Sequence, residues 1–221
     1  MSTKANSKPK AQKKADEITL MTVEPPELST ATFRVYGTSP YVQNKFSGSK
    51  KEGMLRAQMS SQGTKRGKKE PRDLDADFEG ACHRTVTGEY GIPAPAFRSA
   101  MISACRVAGL VMTKAKLSIF CIADDLDEED GTPLVLLKAG EPERTHMHVR
   151  LESGVASIAV RPMWREWGAD VKIRWDAKQF TQQDVLNLLE RAGQQVGIGE
   201  GRNDSKKSHG MGWGTFTTVP S

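Results

Sequence analysis

Six glycines near the C-terminus, Gly197, Gly199, Gly201, Gly210, Gly212 and Gly214, fall in two alternating clusters around a basic, polar insert. Glycine lacks a Cβ, so a chain built this way lets another backbone or a ligand come close. Arg202, Lys206, Lys207 and His209 lie between the clusters. The pattern predicts a backbone-lined cradle for something anionic and extended. The competing reading is a flexible hairpin between the last helix and the last strand.

Other residues with chemical potential are scattered. His146 and His148 are two apart on an expected strand, a spacing that occurs in metal sites, but no third ligand lies close in sequence. Exposed or partly buried strand histidines are the better reading, and no metal or other cofactor is expected. General acid–base work needs a positioned group with a tuned pKa, and His83 and His209 are the candidates. There is no GxSxG element and no phosphate-loop signature. The run from Gly197 to Gly201 follows a helix rather than a strand, which argues against a dinucleotide fingerprint. The acidic run Asp124–Asp130 lacks the spacing of a calcium loop and reads as a solvated turn. Cys82, Cys105 and Cys121 have no ligand spacing, and buried, reduced thiols are expected.

Charge carries more information. The net charge is +5, with the basic residues clustered. Lys4, Lys8, Lys10, Lys13 and Lys14 crowd the first residues. Residues 45–72 carry Lys45, Lys50, Lys51, Arg56, Lys65, Arg66, Lys68, Lys69 and Arg72 against Glu52 and Glu70. Such clustering is the electrostatic footprint of a nucleic-acid binder, although a solubilising surface also looks like this. Tyr36, Tyr41, Phe46, Trp164, Trp167 and Trp213 have basic neighbours, and the stretch Arg161–Trp167 mixes the two types most densely. Unpaired bases stack on such rings while Arg and Lys track the phosphates. One of Trp164 and Trp167 is expected in the core, with arginines such as Arg161 and Arg165 turned outward.

The elements that must position these residues follow from periodicity. Residues 1–17 hold almost no large apolar side chain and predict a disordered basic arm, and residues 18–221 one domain. Ala31–Phe46 predicts a first strand that Pro40 breaks, with Phe33 and Val35 on one face and Arg34 and Tyr36 on the other. Residues 47–72 predict a long flexible insertion, with helical turns around Met54–Met59. A weak helix is expected over Asp73–Thr85 and a strong one over Pro95–Ala108, stopped by Gly109. Strands are expected at Leu117–Ile122, Pro133–Leu137, His146–Leu151, Val155–Arg161 and Asp170–Trp175. A last helix over Gln182–Ala192, capped by Thr181 with Asp184 and ended by Gly193, leads to the glycine loop and a strand over Trp213–Val219. Helices set between pairs of strands in a mostly antiparallel sheet predict an α+β, ferredoxin-like fold with helices on one face. No apolar run approaches the ~20 residues of a membrane span, and the N-terminus lacks a signal-peptide core, so a cytoplasmic protein is expected.

A helix, a G-x-G-x-G-R stretch and a G-x-G-x-G-x-F stretch leading into a last strand resemble the C-terminal glycine-rich loop of the RAMP proteins, the ferredoxin-like RNA-binding subunits of CRISPR effector complexes. The matching residues are Gly197, Gly199, Gly201 and Arg202, then Gly210, Gly212, Gly214 and Phe216. The insertion at 47–72 resembles the finger that backbone subunits of that superfamily lay across guide RNA. GIPAPAF (91–97) and GIGEGR (197–202) also resemble stretches of phage-encoded proteins, which would place the chain in a host cytoplasm. The insert between the glycine clusters is longer than the family pattern, so RNA binding carries over and a place in a CRISPR complex does not. The expectation is a non-enzymatic, sequence-tolerant binder of single-stranded RNA or DNA, self-associating along the strand. The alternatives are a metal-independent endoribonuclease using His209 or His83, and a viral structural or host-defence antagonist protein with a protein target.

Overall fold

The computed structural model describes residues 23–46, 52, 53, 55, 59, 73–150, 156–204 and 210–219. The expected arm at 1–17 and most of 47–72 lie outside them. Within that insertion, Glu52, Gly53, Leu55 and Met59 are helical. In chain order the elements begin with β1 (Leu28–Gly37), β2 (Tyr41–Val42), α1 (Leu74–Glu79), β3 (Gly91–Pro93), α2 (Ala94–Ala108) and α3 (Met112–Ser118). There follow β4 (Ile119–Ile122), β5 (Asp125–Leu126), β6 (Pro133–Leu136), β7 (Glu143–Arg150), β8 (Ala156–Trp164), β9 (Gly168–Asp176), α4 (Gln182–Arg191), a π-turn (Ala192–Val196) and β10 (Phe216–Thr218).

Period-two patterning builds the main sheet. β1 buries Phe33 and Val35 and exposes Arg34 and Tyr36, while β9 buries Val171, Ile173 and Trp175 and exposes Lys172 and Arg174. The two strands pair antiparallel from Leu28 opposite Asp176 to Tyr36 opposite Gly168. β4 adds to β9 and β10 to β1, both antiparallel, giving the order β10-β1-β9-β4. Two smaller antiparallel sheets have the orders β2-β8-β7 and β3-β6-β5. The architecture is α+β.

One side of the main sheet is covered by α2 and α4. Their buried residues Phe97, Met101, Val185 and Leu189 join the same core cluster as Val35, Val171 and Ile173. Each such fully buried side chain contributes about 1.5–3 kcal/mol. Pro95 sits in the first turn of α2, and Gly109 ends the helix in the left-handed conformation, its N–H bonded to the Cys105 carbonyl. α4 begins with the expected capping box: Asp184 N–H donates to Thr181 Oγ1 (3.1 Å) and Thr181 N–H to Asp184 Oδ2 (2.9 Å). Among the described residues no helix is long and apolar enough to cross a membrane.

Four boundaries differ from the sequence reading. The expected helix over Asp73–Thr85 is confined to α1, with Asp73 as its N-cap. Leu117 and Ser118 end α3 rather than open a strand, and α3 itself was not foreseen. Gly193 does not stop the last helix. It sits inside the π-turn, where a Cβ would lie 2.2 Å from the Phe216 carbonyl, so it is a close-packing glycine, and Gly197 (φ 75°) makes the turn out. The final strand begins at Phe216, because the chain from Trp213 to Thr215 is bonded to other partners: Gly214 N–H to the Pro40 carbonyl (2.8 Å) and Thr215 N–H to Ser39 Oγ (3.0 Å).

The glycine loop depends on such close approaches. At Gly214 (φ 67°) an added Cβ would lie 1.8 Å from the Ile198 carbonyl oxygen, whereas at Gly131 (φ 68°) it would meet open space. Gly131→Ala is expected to cost about 1–2 kcal/mol, the left-handed backbone penalty alone. Gly214→Ala should cost about 1–3 kcal/mol more, because a backbone carbonyl must move. Urea midpoints measure both. Equal losses would mean that the approach of the two loop segments does not constrain the fold.

Candidate functional site: a groove beside the glycine loop

A groove of about 540 Å³ opens between α2 and the glycine loop. Pro95, Ala96, Ser99, Ala100 and Ser103 of α2 form one wall. The chain from Val196 to Arg202, with Asp204, forms the other, and Tyr41, Gln43, Asn44 and His83 line the same space. The α2 wall carries small side chains because its large ones, Phe97 and Met101, face the core.

The loop wall is a bent stretch of backbone with some of its amides engaged. Ile198 N–H donates to the Gly214 carbonyl and Glu200 N–H to the Val42 carbonyl, each at 2.9 Å. Gly199 and Gly201 have φ values of 77° and 80°, and a Cβ on Gly199 would lie 2.5 Å from the Val42 carbonyl oxygen. Gly199 is therefore required by packing against the chain's own backbone, and Gly201 by packing against the Trp213 ring, 2.7 Å from where its Cβ would lie. The amides of Gly199, Gly201 and Arg202 have no hydrogen-bond partner among the described residues, and all three residues line the groove. Buried backbone donors are normally paired, so this free edge is available to a ligand. Arg202 donates through Nη1 to the Gly199 carbonyl (2.8 Å), which fixes its guanidinium at the wall.

At the groove's other end lies a buried charge cluster. Lys45 Nζ is 2.6 Å from Asp127 Oδ1 and 2.8 Å from Glu129 Oε2. His83 Nδ1 is 2.8 Å from Asp127 Oδ2. The amides of Glu129 and Asp130 also donate to Asp127 Oδ1. Gln43 fixes the histidine backbone, accepting the His83 N–H at 2.7 Å and donating to the Gly91 carbonyl at 2.8 Å. Burial pushes the Asp127 carboxyl up, but the hydrogen bonds from Lys45, His83 and the two amides outweigh it and hold the group below the usual carboxylate range. Burial lowers the His83 pKa, and the pull of Asp127 does not restore it, because Lys45 already supplies the positive charge that Asp127 needs. Lys45 stays charged: burial opposes its ammonium, and the two carboxylates more than compensate. His83, Asp127 and Asp130 form the one His/Asp group among the described residues close enough to hold a metal ion, and the Lys45 ammonium stands where a cation would be needed. Burial also pushes the Cys82 and Cys121 thiols up to about 12, so neither is a ready nucleophile.

Several sequence-predicted site residues lie elsewhere. Lys45 is not a phosphate ligand, being 5% exposed and engaged by two carboxylates. Trp164 is not a stacking platform: both it and Trp167 are core residues, with Trp164 against Tyr41 at 5.7 Å. Arg161 is bonded to Glu200 (2.7 Å), and the exposed Arg165 to Glu143 (2.8 Å). Neither lines the groove. Gly210 (φ 62°) and Gly212 (φ 72°) lie outside its lining as well. Lys50, Lys51, Arg56, Lys65, Arg66, Lys68, Lys69, Lys206, Lys207 and His209 fall outside the described residues. Gly199, Gly201, Arg202 and His83 are brought together. The sequence reading missed Asp127 as the partner of His83, Asp127 and Glu129 as the partners of Lys45, and Ser99 and Ser103 as the facing wall.

A scan of the chain against protein-family models finds no match, and a search of curated proteins finds none either.

The cluster makes stability depend on pH in a defined direction. His83 and Asp127 both have folded-state pKa values below their unfolded ones, so unfolding takes up protons at each. Stability therefore falls on acidification, first below about 6.5 through His83 and again below about 4 through Asp127. Lys45→Met removes the competing ammonium, so the His83 pKa should rise above its wild-type value. An NMR titration of the imidazole checks this, and an unchanged pKa would show that Lys45 does not set the charge balance.

Proposed function

We propose that the groove binds single-stranded nucleic acid, RNA or DNA, largely without regard to sequence, and that binding rather than catalysis is the chain's principal role. The observation that carries this reading is the free backbone edge at Gly199, Gly201 and Arg202, set in a groove at which both basic segments attach. Asn44 lines the groove, and two residues beyond it the chain enters the 47–72 stretch, which holds eight basic residues against two acidic. Asp204 lines it too, and the insert with Lys206, Lys207 and His209 follows directly. Cations tethered on both sides of a polar trough favour an extended polyanion.

The topology supports the same reading. The main sheet and its two covering helices run β1-α2-β4-β9-α4-β10, with the strand order β10-β1-β9-β4. That order is compatible with the split βαβ arrangement of a ferredoxin-like fold, and the glycine loop lies between the last helix and last strand, which supports the RAMP resemblance. Side-by-side binding of copies along a strand belongs to this reading.

A salt titration with single-stranded RNA, single-stranded DNA and duplex tests it. Single strands should bind best, and log K should fall with log salt by about 0.7 for each phosphate neutralised. A flat response, or no binding, would contradict the proposal. The geometry at His83 favours one second reading, metal-independent RNA cleavage: a neutral imidazole held by Asp127 faces the groove and could accept a proton from a ribose hydroxyl. The same mixtures run on denaturing gels decide it. Cleavage in chelator that His83→Gln removes, with binding retained, would favour the enzyme. Intact RNA with wild-type protein would sink that reading alone.

A further inference from the structure

A second cleft of about 470 Å³ lies beside the groove along α2, and Ser99 and Ser103 line both. Ser103 lies against Asp204 of the groove wall, whose carboxylate also pairs with Arg106, so the exposed Ser99 is the place at which a chain molecule could pass between the two spaces. The cleft beyond it has a different character from the groove. It is lined by Arg98, Thr113 and Lys116, two cations and a hydroxyl, and no carboxylate. Among the described residues neither Arg98 nor Lys116 is in an ion pair, unlike Arg34, Arg106, Arg161 and Arg165.

Arg98 is also held in place. Its Nε donates to the Ile119 carbonyl (2.9 Å) and its Nη2 to the Lys116 carbonyl, and its guanidinium lies 5.1 Å from the centre of the Phe120 ring. Those two bonds engage two of the five N–H groups of a guanidinium. A fixed fork with donors remaining, an exposed ammonium and neighbouring hydroxyls make a site suited to a phosphate oxygen. Arg98 binds the carbonyls at the end of α3 and Lys116 lies in the last turn of that helix, so both serve the helix end, and neither has a carboxylate partner among the described residues.

We propose that a single strand bound in the glycine-loop groove crosses α2 at Ser99 and places a backbone phosphate in the Arg98–Lys116 cleft. The proposal rests on the groove reading and adds a second contact point and a direction to it. A phosphodiester in a chain, rather than free phosphate, is the occupant, because the cleft communicates with the groove.

Oligonucleotide length separates the two. Wild-type protein should bind a strand of about 15 nucleotides more tightly than one of about 6, which fits the groove alone. Lys116→Glu, an exposed position, should lower affinity for the long strand about tenfold, reduce its salt slope by about one, and leave the short strand unchanged. Arg191→Glu, on the last turn of α4, carries the same charge change elsewhere and should leave both strands bound as in wild type. Full affinity of Lys116→Glu for the long strand would overturn the inference while leaving the groove intact. Equal losses on both lengths, or an equal loss with Arg191→Glu, would also overturn it by showing a diffuse charge effect. No binding by wild type at either length would remove the groove reading and this one together.

Discussion

Backbone packed directly on backbone is the constraint on which the rest of this structure depends. The segment from Gly197 to Gly201 is bonded on one edge to Val42 and Gly214, with gaps too small for a Cβ at Gly199 and Gly214. That contact ties the end of the chain to the bend between β1 and β2, and the Pro40 carbonyl accepts from Gly214 at the same place. It also fixes which edge of the loop is left over. Engaging the Ile198 and Glu200 amides in this way leaves those of Gly199, Gly201 and Arg202 without partners among the described residues. The groove wall is thus a by-product of how the last strand is anchored.

The electrostatics follow a similar logic of internal commitment. Many basic side chains among the described residues are engaged by carboxylates, Lys45 and Arg161 among them, and the charged side chains that line the groove, Glu200, Asp204 and Arg202, give it one net negative charge. Net positive charge comes from segments that attach at its rim and from the Arg98–Lys116 cleft behind α2. On the proposed reading such a division would give little sequence selectivity, since backbone amides and tethered lysines would meet phosphates rather than base edges. The buried Lys45–Asp127–His83 cluster serves position first: it joins the end of the β2 segment to the acidic turn, and keeps the imidazole neutral at the groove. Breaking such a buried pair typically costs about 3–5 kcal/mol, so the cluster holds the wall as well as the proton.

Much of the fold was legible because burial imposes periodicity. The alternation of Val171, Ile173 and Trp175 with Lys172 and Arg174, and the stripe of Phe97, Met101, Ala104 and Cys105, name their elements directly. The capping box at Thr181 and the stop at Gly109 were equally readable, since they act within a few residues. What failed was long-range. Nothing near Lys45 reveals that its carboxylate partners are Asp127 and Glu129, some eighty residues away, and in isolation it looks like the first of a basic run. Trp164 among arginines looks like a stacking surface until Tyr41 covers it. Gly193 looks like a helix stop, because the contact that demands a glycine there, with Phe216, comes from a strand not yet formed in the reading. The glycine clusters read as a cradle in sequence; the structure shows that close self-packing explains Gly197, Gly199, Gly201 and Gly214, and the proposed reading uses the amides left without partners between those contacts.

The central claim is that the unengaged loop edge and the α2 wall together receive a single strand. Amide chemical shifts followed while a single-stranded oligonucleotide is added would test it most directly. The account predicts the largest changes at Gly199, Gly201, Arg202 and Ser99, with Thr32, Lys172 and Arg174 on the open face of the main sheet unmoved. Changes centred on Lys172 and Arg174, with the glycine loop silent, would contradict it.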